Sequence, residues 1–157
     1  VFRKQLVQGY VHDEGAAMLG GVSGHAGLFA TADDLYVVLQ MLLNKGEYNG
    51  IHYLQPHTIK KFTSYYSSKT RRGLGFDKPL HGNKKGPHCG VYVSSQSYGH
   101  SGFTGTFFWV DPKYDLIYIF LSNRIYPNAD NKKLAQLNIR TNIQDLIYQY
   151  VEIIEEE

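Results

Sequence analysis

Residues 106–121 constrain the fold more than any other stretch. Thr106-Phe107-Phe108-Trp109-Val110 and Leu116-Ile117-Tyr118-Ile119-Phe120-Leu121 are rich in β-branched and aromatic residues, the composition of strands. Asp111-Pro112-Lys113-Tyr114-Asp115 lies between them, and its Pro and Asp set a turn. The two runs therefore read as an antiparallel hairpin. A continuous apolar strand such as residues 116–121 is usually covered on both faces, so helices must pack on this hairpin.

The helices are legible on either side of it. Thr31 caps a helix that begins at Ala32-Asp33-Asp34, with Leu35, Val38, Leu39 and Leu42 on its buried face and Asn44-Lys45-Gly46 at its end. A second, short helix opens at Pro56, a good first-turn residue, with Ile59 and Phe62 as its apolar face. Asp130 or Asn131 caps a long C-terminal helix whose stripe is Leu134, Leu137, Ile143, Leu146, Ile147, Tyr150 and Val151. Arg72-Gly73-Leu74-Gly75-Phe76 is compatible with a short strand, and Glu155-Glu156-Glu157 with a frayed, solvated end. Helices around an antiparallel hairpin make the class α+β.

The 157 residues amount to one domain or a piece of one. The 16 basic and 14 acidic residues leave a net charge of +2, too balanced to argue for nucleic acid or an anionic membrane. No apolar stretch approaches the roughly 20 residues of a membrane span. The single cysteine, Cys89, excludes an internal disulfide framework. It lies in the Gly-rich Gly86-Pro87-His88-Cys89-Gly90 with no helix start near it, which reads as a structural thiol rather than a nucleophile. The chain opens at Val1 in running protein sequence, without an initiator Met, as expected of a fragment.

Three segments could carry chemistry. Tyr98-Gly99-His100-Ser101-Gly102-Phe103-Thr104-Gly105 leads into the first strand of the hairpin. Its glycines let a ligand or another backbone lie against the edge. His100 and Ser101 alternate there and face opposite ways, beside backbone N–H groups. That is the make-up of a carboxylate clamp with half an oxyanion hole; a Gly-rich strand with a surface His is the plainer reading. Val11-His12-Asp13-Glu14 could be acid–base or metal-binding, but His12 and His25 have no zinc-like spacing. A polar loop in which Asp13 or Glu14 orients backbone or Arg groups explains it as well. Gly21-Val22-Ser23-Gly24-His25 approaches a nucleophile elbow, yet its closing Gly comes one place early and no strand precedes it.

His100-Ser101-Gly102, followed by Phe103-Thr104-Gly105-Thr106, resembles the third motif of penicillin-recognising serine hydrolases: class C β-lactamases, D-Ala-D-Ala carboxypeptidases and related esterases. That motif usually reads Lys-Ser/Thr-Gly, with His for Lys in some subgroups. Residues 20–35 resemble the same family's Gly-Leu-Phe-Ser-Thr-Ala-x-Asp-Leu helix start. Trp109-Val110-Asp111-Pro112 and Leu121-Ser122-Asn123-Arg124 resemble its last two strands. The four segments keep the family's order. Val11-His12-Asp13-Glu14, residues 72–79 and Leu137-Asn138-Ile139-Arg140-Thr141 are closest to the module fused behind family 3 glycoside hydrolases of β-N-acetylglucosaminidase type in Bacteroidetes.

The resemblance implies a single, incomplete domain over residues 1–157: the C-terminal portion of a β-lactamase/transpeptidase-like fold. It implies a periplasmic or envelope location, a small-molecule or cell-wall peptide substrate, no cofactor and no metal. The family's nucleophile comes from Ser-x-x-Lys. None of Ser23, Ser64, Ser67, Ser68, Ser94, Ser95, Ser97, Ser101 and Ser122 has Lys three residues later. Tyr126-Pro127-Asn128 has the letters of the second motif but follows the third, so it is coincidental. The nucleophile and second motif are expected in an N-terminal part of the same polypeptide, and these 157 residues alone are expected to be inactive. By the resemblance His100, Ser101 and Gly102 are catalytic, while Phe103 and Thr104 form the oxyanion and substrate-binding positions, Phe103 through its backbone N–H. His in place of Lys implies a weaker grip on a β-lactam carboxylate, because an imidazole titrates near 6.5 and can be neutral. The competing readings are a non-catalytic cell-wall-binding or accessory module attached to a glycoside hydrolase, an inert structural fragment, and a zinc metalloenzyme.

Overall fold

The computed structural model describes residues 5–81 and 88–156, with side chains as far as Val151. Gly86-Pro87 and the side chains of Glu155-Glu156-Glu157 lie outside the described residues. The chain divides into two compact units, Val1–Thr31 and Ala32–Glu157.

Among the described residues the first unit contains one short helix, α1 (Glu14–Met18), and loops. Asp13 caps it: its carboxylate accepts the Ala16 N–H at 2.8 Å, which satisfies one of the N–H groups a helix start leaves unpaired. Sequence patterning gave no sign of this helix, because five residues are too few for a period to show. The Gly-rich residues 20–27 form loop, as expected.

The second unit holds α2 (Ala32–Leu43), a two-stranded hairpin β1 (Glu47–Tyr48) and β2 (Ile51–His52), α3 (Pro56–Thr63), three strands β3 (Tyr98–Ser101), β4 (Phe107–Asp111) and β5 (Leu116–Phe120), then α4 (Lys133–Gln136) and α5 (Ile139–Glu156). The sheet is antiparallel in the order β3-β4-β5. The expected hairpin is β4 and β5, displaced by a residue at its ends, with Phe107 opposite Phe120 and Asp111 opposite Leu116. Residues 98–101, expected to run on into the strand that is β4, form a strand of their own and turn back to pair with it.

Period-two alternation sends the side chains of this sheet to two faces. On one face Tyr98, Val110, Phe108, Ile117 and Ile119 pack with Leu39, Leu42 and Leu43 of α2 and with Phe76. On the other, Phe107, Trp109, Tyr118, Leu116 and Phe120 pack with Cys89, Val93, Tyr114 and with Ile147 and Tyr148 of α5. The α+β class follows directly: one antiparallel sheet is covered by helices on both faces.

Four expectations fail in instructive ways. Of the predicted face of α2, Leu39 is buried and Leu42 packs beside it, but Val38 is 51% exposed and Leu43, not predicted, joins the packed arc. In α3 Ile59 is buried whereas Phe62 is 45% exposed. The long C-terminal helix is broken at Leu137-Asn138, where Asn138 takes φ +50°, a left-handed conformation that Asn tolerates. Below the break, α5 buries Thr141, Gln144 and Tyr148, one helical face at i, i+3 and i+7. Leu137, Leu146 and Tyr150 of the expected stripe are mostly exposed. Residues 72–76 form no strand; Asp77 makes isolated bridges to Arg72 and to Gly99.

Candidate active site

β3 is the edge around which the candidate site is built. Gly99 is required there, because a Cβ at this position would run into the Phe108 carbonyl and the Trp109 ring across the strand pair. Its backbone faces away from β4: the Gly99 N–H donates to the Asp77 carbonyl at 3.0 Å, and the Asp77 N–H donates to the Gly99 carbonyl at 2.7 Å. Alternation along the strand then directs the backbone N–H and C=O of Ser101 to this same outer side. Beyond Ser101 the chain turns. The Gly102 N–H donates to the Thr106 carbonyl at 2.8 Å, and the Gly105 N–H closes back on the Gly102 carbonyl at 3.0 Å. Gly105 has φ +103° and its Cβ position is filled by Ser122 Oγ, so the turn admits no larger residue.

The residues singled out from sequence are therefore consecutive on one strand edge and the turn that ends it. His100 stands opposite Phe108, on the α2 face of the sheet, and its side chain is exposed. Ser101 stands opposite Phe107 on the other face and is half-buried. Phe103 lies in the turn with its ring 67% exposed. Arg124 holds this turn: its Nε donates to the Phe103 carbonyl at 2.7 Å, its guanidinium stacks 4.5 Å from the Phe103 ring centroid, and its N–H donates to the Thr104 carbonyl at 2.9 Å.

Other residues at this edge escaped the sequence reading. Arg72 Nη1 stands 3.4 Å from His100 Nε2. Arg72 also pairs with the carboxylate of buried Asp77, and Arg71 Nη1 pairs with the same carboxylate oxygen at 2.7 Å. Lys78 is buried and donates to the Gln96 and Ser97 carbonyls at 2.8 and 2.6 Å, so it anchors the chain just before β3. Burial pushes its ammonium down to about 8, against an opposing pull from Asp111. The Arg71-Arg72 pair in a Gly-rich stretch was the available sequence signal, but nothing in local patterning placed it beside residue 100.

Cys89 is buried in the core and burial raises its thiol to about 12, which makes it inert. Burial, followed by the nearby Arg71 charge, lowers the pKa of His88. In the first unit His25 Nε2 lies 3.4 Å from Asp13 Oδ1, and Ser23 Oγ accepts the His25 N–H at 3.0 Å. Among the described residues no group of three His, Cys, Asp or Glu side chains could hold a metal ion, and no helix is long and apolar enough to cross a membrane.

The Beta-lactamase family matches residues 3–142. The chain belongs to this family. A relative in Escherichia coli (strain K12), named "Putative D-alanyl-D-alanine carboxypeptidase", is 40% identical over 134 residues, which cover 83% of this chain and 30% of the relative. A protein of the same name in Salmonella enteritidis PT4 is 38% identical over 134 residues, 84% of this chain and 31% of that protein. The chain thus spans less than a third of the length of these relatives. In this Beta-lactamase family domain His100 and Ser101 lie on β3 and Gly102 opens the turn that follows it.

Proposed function

We propose that this chain is the third-motif portion of a penicillin-recognising serine hydrolase that acts as a D-Ala-D-Ala carboxypeptidase or a related esterase. The observation that carries the reading is the β3 edge: His100 and Ser101 lie in register on an outer strand, and Gly102 opens the fixed turn that holds Phe103 and Thr104. A peptide can pair there with the outward backbone groups of Ser101, those of Gly99 being taken by Asp77.

In the reaction, a serine supplied by another part of the polypeptide attacks the carbonyl carbon of the penultimate residue. Its proton passes through a basic group to the leaving amine as the C–N bond breaks. Water then cleaves the acyl-enzyme ester, which returns the serine. The backbone N–H of Phe103 donates to the oxyanion. Ser101 and His100 contact the substrate near its carboxylate, and Thr104 shapes the adjoining surface. The same reading places the protein in the periplasm or cell envelope, behind a family 3 glycoside hydrolase, with the nucleophile motif upstream of Val1.

The test is release of D-alanine from an acyl-D-alanyl-D-alanine by the full-length protein. Turnover that benzylpenicillin blocks, and that falls at least tenfold in Ser101→Ala, supports the reading. Turnover that penicillin leaves untouched rejects it.

A further inference from the structure

Asp77 and Lys78 take hold of the approach to β3 in two different ways. Asp77 uses its backbone, exchanging both hydrogen bonds with Gly99. Lys78 uses its side chain, and its setting is unusual for a lysine. It is 2% exposed, and its ammonium donates to the carbonyls of Gln96 at 2.8 Å and Ser97 at 2.6 Å. The rings of Tyr65 and Tyr98 are centred 5.1 and 5.9 Å from Nζ. Among the described residues no carboxylate forms an ion pair with it. A buried charge without a counter-ion is costly. What this one does is local: it draws two successive carbonyls toward one point, directly before β3. Ser97 closes the same turn from its own side, since its N–H and its Oγ both donate to the Ser94 carbonyl, at 3.1 and 2.7 Å. Carbonyls and ring faces hold an ammonium more strongly than an amine. Loss of the proton removes the charge from both hydrogen bonds and from both ring contacts.

We propose that Lys78 is the positioning residue of the β3 edge and that its protonation state regulates the candidate site: the ammonium holds residues 96 and 97, and with them His100 and Ser101, in register with β4, and the neutral amine loosens that entry. The inference rests on the proposed function for the reaction that is regulated, while the positioning rests on geometry alone. The groups that face Lys78 fix the pH at which the change falls. Burial drives its pKa down to about 8, and the Asp111 carboxylate of β4 pulls the other way. The phenols of Tyr65 and of Tyr98 on β3 are raised from their ordinary value, chiefly by burial, so they stay neutral while Lys78 titrates. Global stability moves in the opposite sense, because deprotonation relieves the cost of burial. Above about pH 8 the folded protein resists urea better while the entry to β3 is held less firmly. A residue that only filled space would not separate the two.

The test is an NMR titration of the full-length protein from pH 7 to pH 9.5, followed at the carbonyl carbons of Gln96 and Ser97, at Cε of Lys78 and at the amides of Gly99 and Ser101. All are expected to inflect together near pH 8, and Lys78→Met should remove the inflection from the others. Inflections at Gln96 and Ser97 with none at Gly99 and Ser101 confine Lys78 to a local anchor and overturn the inference. So does a Lys78 Cε resonance that stays flat across the range. If Lys78→Met does not fold, the presence or absence of a midpoint shared with Lys78 Cε in the wild type decides alone. Turnover of acyl-D-alanyl-D-alanine is scored separately. It should fall about threefold between pH 7 and pH 9 in the wild type, and stay level at the lower value in Lys78→Met. An alkaline fall that Lys78→Met retains overturns regulation by this residue. Shared inflections in a protein with no turnover leave the positioning role standing and reject the proposed reaction.

Discussion

The two faces of the β3-β4-β5 sheet are held in different ways. The packed part of the α2 face is held by apolar side chains and aromatic rings: Leu39, Leu42 and Leu43 meet Val110, Ile117, Ile119 and the Phe76, Tyr98 and Phe108 rings, with Phe76 edge-on to both Tyr98 and Phe108. The α5 face mixes aromatic packing with a buried polar seam. Asp111 is fully buried and accepts from Tyr148 OH at 2.8 Å, from Ser94 N–H and Oγ at 2.7 and 2.5 Å, and from Lys113 N–H at 3.1 Å. Gln144 and Asp145 of α5 take the N–H groups of Gly90 and Val91 at 2.7 and 2.6 Å. The first face is held by area removed from water. The second is held by hydrogen bonds whose loss strands a buried charge or donor. The second face also strings together the segment that leads into β3, residues 90–97, and so positions the candidate site.

That difference sets the expected order of mutational effects. Asp111→Ala leaves four donors unpaired in the interior and should cost roughly 3–5 kcal/mol; urea unfolding measures it. Leu39→Ala on the apolar face removes packing alone and should cost roughly 2–4 kcal/mol. A larger loss from Leu39→Ala than from Asp111→Ala would break the comparison.

Lys78 sharpens it through pH. Its pKa is lowered from 10.5 to about 8, chiefly by burial. The unfolded chain therefore binds more protons above pH 8, and stability from this group rises with pH until the unfolded lysine also titrates. The cost of burying the ammonium is felt below pH 8 and is relieved above it. Between pH 7.5 and 9 the wild type should gain about 1 kcal/mol relative to Lys78→Met. A flat difference across that interval would mean that Lys78 is solvated. The smallest effect concerns Cys89. Its buried, raised thiol should react with iodoacetamide at least tenfold more slowly in the folded protein than in urea, as mass spectrometry would record.

The same contrast explains what was legible in the sequence. The β4–β5 hairpin and α2 announce themselves because apolar period and turn residues agree with their final environment. The α5 face does not, because Thr141, Gln144 and Tyr148 are buried for their hydrogen bonds and shape, and a hydrophobic stripe looks past them to Leu146 and Tyr150. The helix break hinges on one residue, Asn138, that a helical pattern reads through. The β1–β2 hairpin was legible and was missed: Asn49-Gly50, with φ +52° and +77°, is the two-residue loop that joins tight hairpins. At the site, the letters from His100 to Thr104 were visible. Arg72 was not, since residue 72 meets residue 100 only through the Asp77–Gly99 bridge.

The most direct test of the central claim is covalent labelling of the full-length protein with benzylpenicillin, read by intact mass and peptide mapping. The account predicts one penicilloyl adduct per molecule, on a serine outside these 157 residues, with slower formation in Ser101→Ala. An absence of any adduct, or an adduct on one of the serines of this chain, would contradict it.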